Sequence, residues 1–175
     1  LLLRLHSPAF EAADERIFDE IMPAVARGEY DAGLVIHEGR FTYRDYGLTQ
    51  VLDLGEWWEK DTGKPVPLGC IAVRRDVEEP KRVEGALRRS VERALESRDS
   101  EGLPDDGDLR GYVREHAQEM DEDVLRRHID LYVNEHTADM GEEGEGAVRT
   151  LFERGQEAGV LPPTDTDTLF AVQDS

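Results

Sequence analysis

The sequence predicts an α/β fold that gives way to helices alone after about residue 74. Three observations predict it. Ile17, Ile21, Met22 and Val25 recur at helical spacing and run into Gly28, a natural helix stop. Asp31 to Ile36 is a short, nearly continuous apolar run, the pattern of a strand covered on both faces. Beyond Arg75 the apolar residues recur only at helical intervals. An α/β lobe followed by helices that cover a sheet has this order.

The elements follow in turn. Ile17 to Ala26 reads as a helix and Asp31 to Ile36 as the first strand. "TQVLDLG" is a second strand and "PLGCIAVRRD" a third, with "EWWEKDTGKP" a short helix and turn between them. Pro80 opens a helix whose stripe is Val83, Leu87, Val91 and Ala94. "SRDSEGLPDDGD" is a polar loop. Asp121 can cap a helix that buries Val124, Leu125, Ile129, Tyr132 and Val133. "GEEGEG" is expected to break that helix as a solvated turn, and a last helix uses Val148, Leu151 and Phe152 before Gly159 and Pro162 end it.

The 175 residues can bury one sizeable core or two small lobes. "LLLRLHSP" begins with neither Met nor a cap signal, so the chain reads as the C-terminal part of a longer one. Its apolar runs are too short for a signal segment or a membrane span, which makes a soluble, cytoplasmic protein the expectation. Net charge is −19, from 40 acidic and 21 basic residues, and a surface of that sign argues against nucleic acid and anionic membrane as partners, since phosphate binding needs a basic face. Lys60, Lys64 and Lys81 are the only lysines. A carboxylate-rich, lysine-poor chain suits a halophilic protein, because salt screens its self-repulsion, and is compatible with an ordinary acidic cytosolic one. The single cysteine, Cys70, excludes an internal disulfide, fits a reducing compartment and, inside "PLGCIAV", reads as a small core residue.

In an α/β sheet ligands gather at the carboxyl ends of the strands, which is where the run from Asp31 meets His37. An imidazole there fits a general base, since its ordinary pKa lies near working pH. It fits equally well a histidine that hydrogen-bonds a loop carbonyl. Gly39 allows a ligand or another backbone to come close.

Other patterns carry less. His37 and Glu38 begin like the zinc motif H-E-x-x-H, but Phe41 stands in the second histidine position. His128 and His136, eight apart and expected on one helix, make a poor metal site, and no metal is expected. The chain has no G-x-S-x-G and no phosphate-binding loop. Of the adjacent Trp57 and Trp58, one can pack inward while the other faces a cleft, core packing being the better account.

"YDAGLVIHEGRFTY", "VLDLGEWWEKDTGKPVPLG", "AVRRD" and "LYVNEHTADMGEEGEGAV", in this order, resemble the 1,4-dihydroxy-6-naphthoate synthase family of the futalosine route to menaquinone. The resemblance runs from Leu1 to Pro162. The sister chorismate dehydratases usually carry glycine and aspartate where this chain has His37 and Glu38, which favours the synthase.

The resemblance implies a type II periplasmic-binding-protein-like fold, two α/β lobes with the ligand between them, the first lobe largely missing from this chain. Residues 1–65 would belong to the second lobe. Residues 66–175 would supply a crossover strand and C-terminal helices packing on the first lobe. It implies a carbon–carbon lyase that converts cyclic dehypoxanthine futalosine, a small-molecule substrate, to 1,4-dihydroxy-6-naphthoate and dihydroxyacetone without metal or organic cofactor. The family's base is the histidine of the H-E-G block, His37 here, which would remove a hydroxyl proton and start a retro-aldol type cleavage. Glu38, Gly39 and Gly69 are lesser candidates for substrate binding, each also explained by turn formation. The family's threonine pair would lie upstream of "LLLRL". A solute-binding protein of the same fold, or an interaction domain without chemistry, are the rival readings.

Overall fold

Asp53 starts a helix because its Oδ1 accepts hydrogen bonds from the backbone N–H groups of Gly55 and Glu56, at 2.9 and 3.1 Å. The helix runs for nine residues and ends at Gly63, which has φ 67°. The "EWWEKDTGKP" helix and turn are thus present, and the cap removes the last residues of "TQVLDLG" from any strand. A computed structural model describes residues 1–10, 13–74, 76–97, 107–116 and 121–170. Its helices are α1 (Leu2–His6), α2 (Phe18–Ala26), α3 (Gly39–Thr42), α4 (Leu54–Thr62), α5 (Pro80–Glu96), α6 (Gly107–His116), α7 (Glu122–Tyr132), α8 (Glu135–Ala138) and α9 (Gly141–Glu157). No helix among the described residues is long and apolar enough to cross a membrane.

The chain divides into two compact units. One comprises Leu1–Glu11, Asp53–Leu95 and Asn134–Ser175, the other Ala12–Leu52 and Glu96–Val133. The first unit is centred on Trp58, which is 0% exposed, and on the buried Ala147. In α9 a Cβ at Gly155 would stand 2.6 Å from Leu161 Cδ1, so Leu161 closes over this turn only because the position has no side chain. The second unit buries Met22 and Ala24 of α2, Gly39 of α3 and Val124 of α7.

Four expectations are corrected. The stretches read as strands, from Asp31, Thr49 and Pro67, form no β-ladder among the described residues. Apolar periodicity identifies a segment that suits a sheet, but a strand exists only when its N–H and C=O groups pair with a neighbour. The unpaired runs leave their apolar residues in water, Val51 at 91% and Ile71 at 68% exposure. Cys70 shares that fate: it is a free, exposed thiol and not a core residue.

"GEEGEG" breaks no helix but is the first turn and a half of α9. Glu142 and Glu143 sit where the positive end of the helix dipole favours carboxylates. The break comes earlier, at Val133, after which Asn134 caps α8 with its side chain while Thr137 reaches back to the Asn134 N–H. His128 and His136 consequently lie on different helices, α7 and α8. Residues 107–116, left without a helix by the sequence pattern, form α6, and most of the polar loop before it lies outside the described residues.

Candidate active site

The second unit gathers a cluster of rings around His37. On one side is α7, started by Asp121, whose Oδ1 accepts the N–H groups of Asp123 and Val124 at 2.9 and 3.1 Å. Residues four apart on a helix share a face, and His128 and Tyr132 do so here, their ring centroids 4.6 Å apart. On the other side the run 32–36, which forms no regular element, leads into α3. Gly39 is buried there, and a Cβ on it would stand 3.3 Å from both Phe18 Cζ and Val35 Cβ. Its close neighbours are side chains of its own unit.

Between these elements stands His37, in the left-handed region at φ 53°. A non-glycine residue pays about 1–2 kcal/mol to be there, and such strain gathers where structure serves a site. The imidazole stacks on His128 at 5.7 Å and 15°, lies 5.6 Å from the Tyr132 ring and meets Phe18 edge-on at 6.0 Å. Its backbone N–H donates to Tyr132 Oη at 3.1 Å. His37 nonetheless remains exposed, so an outside molecule can reach it.

Glu38 follows on the turn, half-buried, with Oε2 3.9 Å from His128 Nδ1. Burial holds the His128 pKa below the ordinary histidine value; the Glu38 carboxylate opposes this and His37 adds to it. Arg127 lies over the Phe41 ring at 5.0 Å, tying α7 to α3 one residue from this cluster. The arrangement offers an accessible imidazole backed by a second imidazole, a carboxylate and a phenol, the groups that proton-transfer chemistry uses. Among the described residues no three His, Cys, Asp or Glu side chains converge to hold a metal ion.

Of the residues marked by sequence, His37, Glu38 and Gly39 come together. Gly69 lies in the other unit, exposed, with open space where a Cβ would be. His128 and Tyr132 were not marked as site residues. Their spacing of four was visible, but it reads as a helix face, and nothing in it names His37 as the partner. Trp58 is the inward tryptophan, while Trp57 is half-buried with His6 edge-on to it at 5.1 Å.

Comparison with known proteins adds the following. A family profile described as menaquinone biosynthesis matches residues 1–157. A protein of Streptomyces coelicolor named 1,4-dihydroxy-6-naphthoate synthase is 49% identical over 154 residues, which cover 87% of this chain and 52% of that protein. One of Thermus thermophilus with the same name is 46% identical over 165 residues, covering 93% of this chain and 57% of that protein. The chain therefore spans about half the length of the curated relatives it matches. A crystal structure of a protein from Archaeoglobus fulgidus superposes with a TM-score of 0.79 at 36% identity, over 91% of this chain and 58% of that one.

Proposed function

The chain belongs to the menaquinone-biosynthesis family, and from that premise we propose that it is the His37-bearing part of a 1,4-dihydroxy-6-naphthoate synthase. The reaction is cleavage of cyclic dehypoxanthine futalosine to 1,4-dihydroxy-6-naphthoate and dihydroxyacetone, by a carbon–carbon lyase acting without metal or organic cofactor. The identity to two proteins of that name supports the activity. The observation that carries the mechanism is His37 itself: an exposed imidazole held in a left-handed turn and ringed by His128, Tyr132 and Phe18.

In this reading the neutral His37 imidazole takes a proton from a substrate hydroxyl, and the resulting alkoxide collapses to a carbonyl as the neighbouring carbon–carbon bond breaks. The electrons of that bond pass into the part that becomes the naphthoate ring system, which takes back the proton that His37 removed. Glu38 and Gly39 shape the turn beside the substrate. The complete enzyme has the two-lobed architecture of type II periplasmic binding proteins, in which the unpaired extended runs of this chain find their neighbouring strands. It works in the cytoplasm.

His37→Asn in the full-length enzyme tests the reading. The amide keeps much of the shape and polarity of the ring but cannot act as a base at neutral pH. Turnover of cyclic dehypoxanthine futalosine should fall by about 10²- to 10⁴-fold, with melting temperature and ligand affinity retained. Turnover within a few fold of the parent would remove His37 from the base role.

A further inference from the structure

His37 holds φ 53° without being glycine, and a strained residue stays strained only where its surroundings fix it. The fixing group comes from far along the chain. Tyr132, 95 residues on, accepts the His37 backbone N–H on its phenolic oxygen at 3.1 Å, and its ring lies 5.6 Å from the imidazole. The two contacts are separable, because phenylalanine would supply the ring and not the oxygen. One turn earlier on the same helix, His128 stacks on the imidazole, so α7 holds His37 by main chain and side chain together.

We propose that Tyr132 is a positioning residue for His37: its hydroxyl anchors the left-handed turn that aims the exposed imidazole at the substrate. This rests on His37 being the base. The hydroxyl need not touch substrate. Without it the His37 backbone loses the acceptor that holds its N–H, the turn relaxes toward negative φ, and the imidazole leaves the direction in which it meets the substrate hydroxyl. Misaiming of a reacting group lowers the chemical step more than it lowers binding.

The test uses the full-length enzyme, cyclic dehypoxanthine futalosine and three variants: Tyr132→Phe, His37→Asn and the two combined. Tyr132→Phe should lower kcat roughly 10- to 100-fold while KM stays within about two-fold. Added to His37→Asn it should cost nothing further, since the hydroxyl acts through the imidazole. Exchange of the His37 amide hydrogen, followed by NMR and independent of activity, should quicken in Tyr132→Phe. If His37→Asn loses turnover but Tyr132→Phe keeps kcat within about two-fold, the positioning role fails and the base survives. A loss that multiplies in the double variant, or unchanged exchange at His37, also overturns the positioning role. Undiminished turnover in His37→Asn brings down the base, and the positioning role with it.

Discussion

The Nδ1 of His128 stands 3.9 Å from Oε2 of Glu38, yet burial outweighs the carboxylate and keeps the His128 pKa below the ordinary value of 6.5. His37, stacked on the His128 ring, pushes in the same direction as burial. The pair is therefore a neutral imidazole beside a carboxylate at neutral pH, and not a salt bridge. The sign for stability follows from proton counts. Between the folded pKa and 6.5 the unfolded chain binds more protons at His128 than the folded one, so unfolding is favoured as pH falls through that window. The stability due to His128 is complete above 6.5 and is lost as pH falls through the folded pKa.

Melting temperatures of the parent and of His128→Gln, measured at closely spaced pH values from 8 down to 5, should show this. The parent should lose more than His128→Gln just below pH 6.5, because only the parent must charge the partly buried His128 imidazole. Parallel curves through that window would mean that His128 titrates alike in the folded and unfolded chain.

Salt should stabilise the protein. The net charge of −19 repels itself over a Debye length of roughly 30 Å at 0.01 M salt and only about 3 Å at 1 M. Salt also weakens surface ion pairs such as Arg27 with Glu29, Arg74 with Asp76 and Arg82 with Glu79, all largely exposed. Pairs this exposed contribute little to stability, so relief of the general repulsion wins. Thermal melts across a potassium chloride series, with sucrose as a control for general osmolyte effects, should give a midpoint that rises with salt. A flat or falling midpoint would show that the acidic composition is not an adaptation to high salt.

The parts of the fold that were legible in the sequence are those decided locally. Gly28 follows α2 at φ 73°, Asp121 caps α7, and the "EWWEKDTGKP" helix turns off at Gly63, each through contacts within a few residues, whereas the Asp53 cap was hidden in a run that reads as a strand. Features decided elsewhere were not legible. The apolar runs from Asp31, Thr49 and Pro67 say that something should cover them but not what pairs with them. "GEEGEG" has the composition of a turn, and its helical state depends on the length of α9 and on the placement of acids at its start. The site divides in the same way: His37 was marked by its position after an apolar run, whereas Tyr132 and His128 belong to it only because folding brings α7 to that turn.

The first unit is built on a buried tryptophan. Trp58 is 0% exposed, its Nε1–H donates to the Pro65 carbonyl at 3.2 Å, and the Arg154 guanidinium lies 5.5 Å from its ring centroid. Arg154 in turn is ion-paired with Asp61, three residues beyond Trp58 on α4, so the indole joins α4, the chain leaving it and α9. Trp58→Ala should cost about 3–5 kcal/mol by cavity formation, and it also strips the Pro65 carbonyl of its donor. Trp58→Phe, which keeps a ring but not the donor, should fall between parent and alanine. Trp57→Ala should cost less than Trp58→Ala, because Trp57 is only half-buried and has His6 rather than a core against it. Urea unfolding of all four proteins, at one salt concentration and followed by circular dichroism, gives the order directly. If Trp57→Ala proved the more costly, then the outward tryptophan, not Trp58, would be the anchor of this unit.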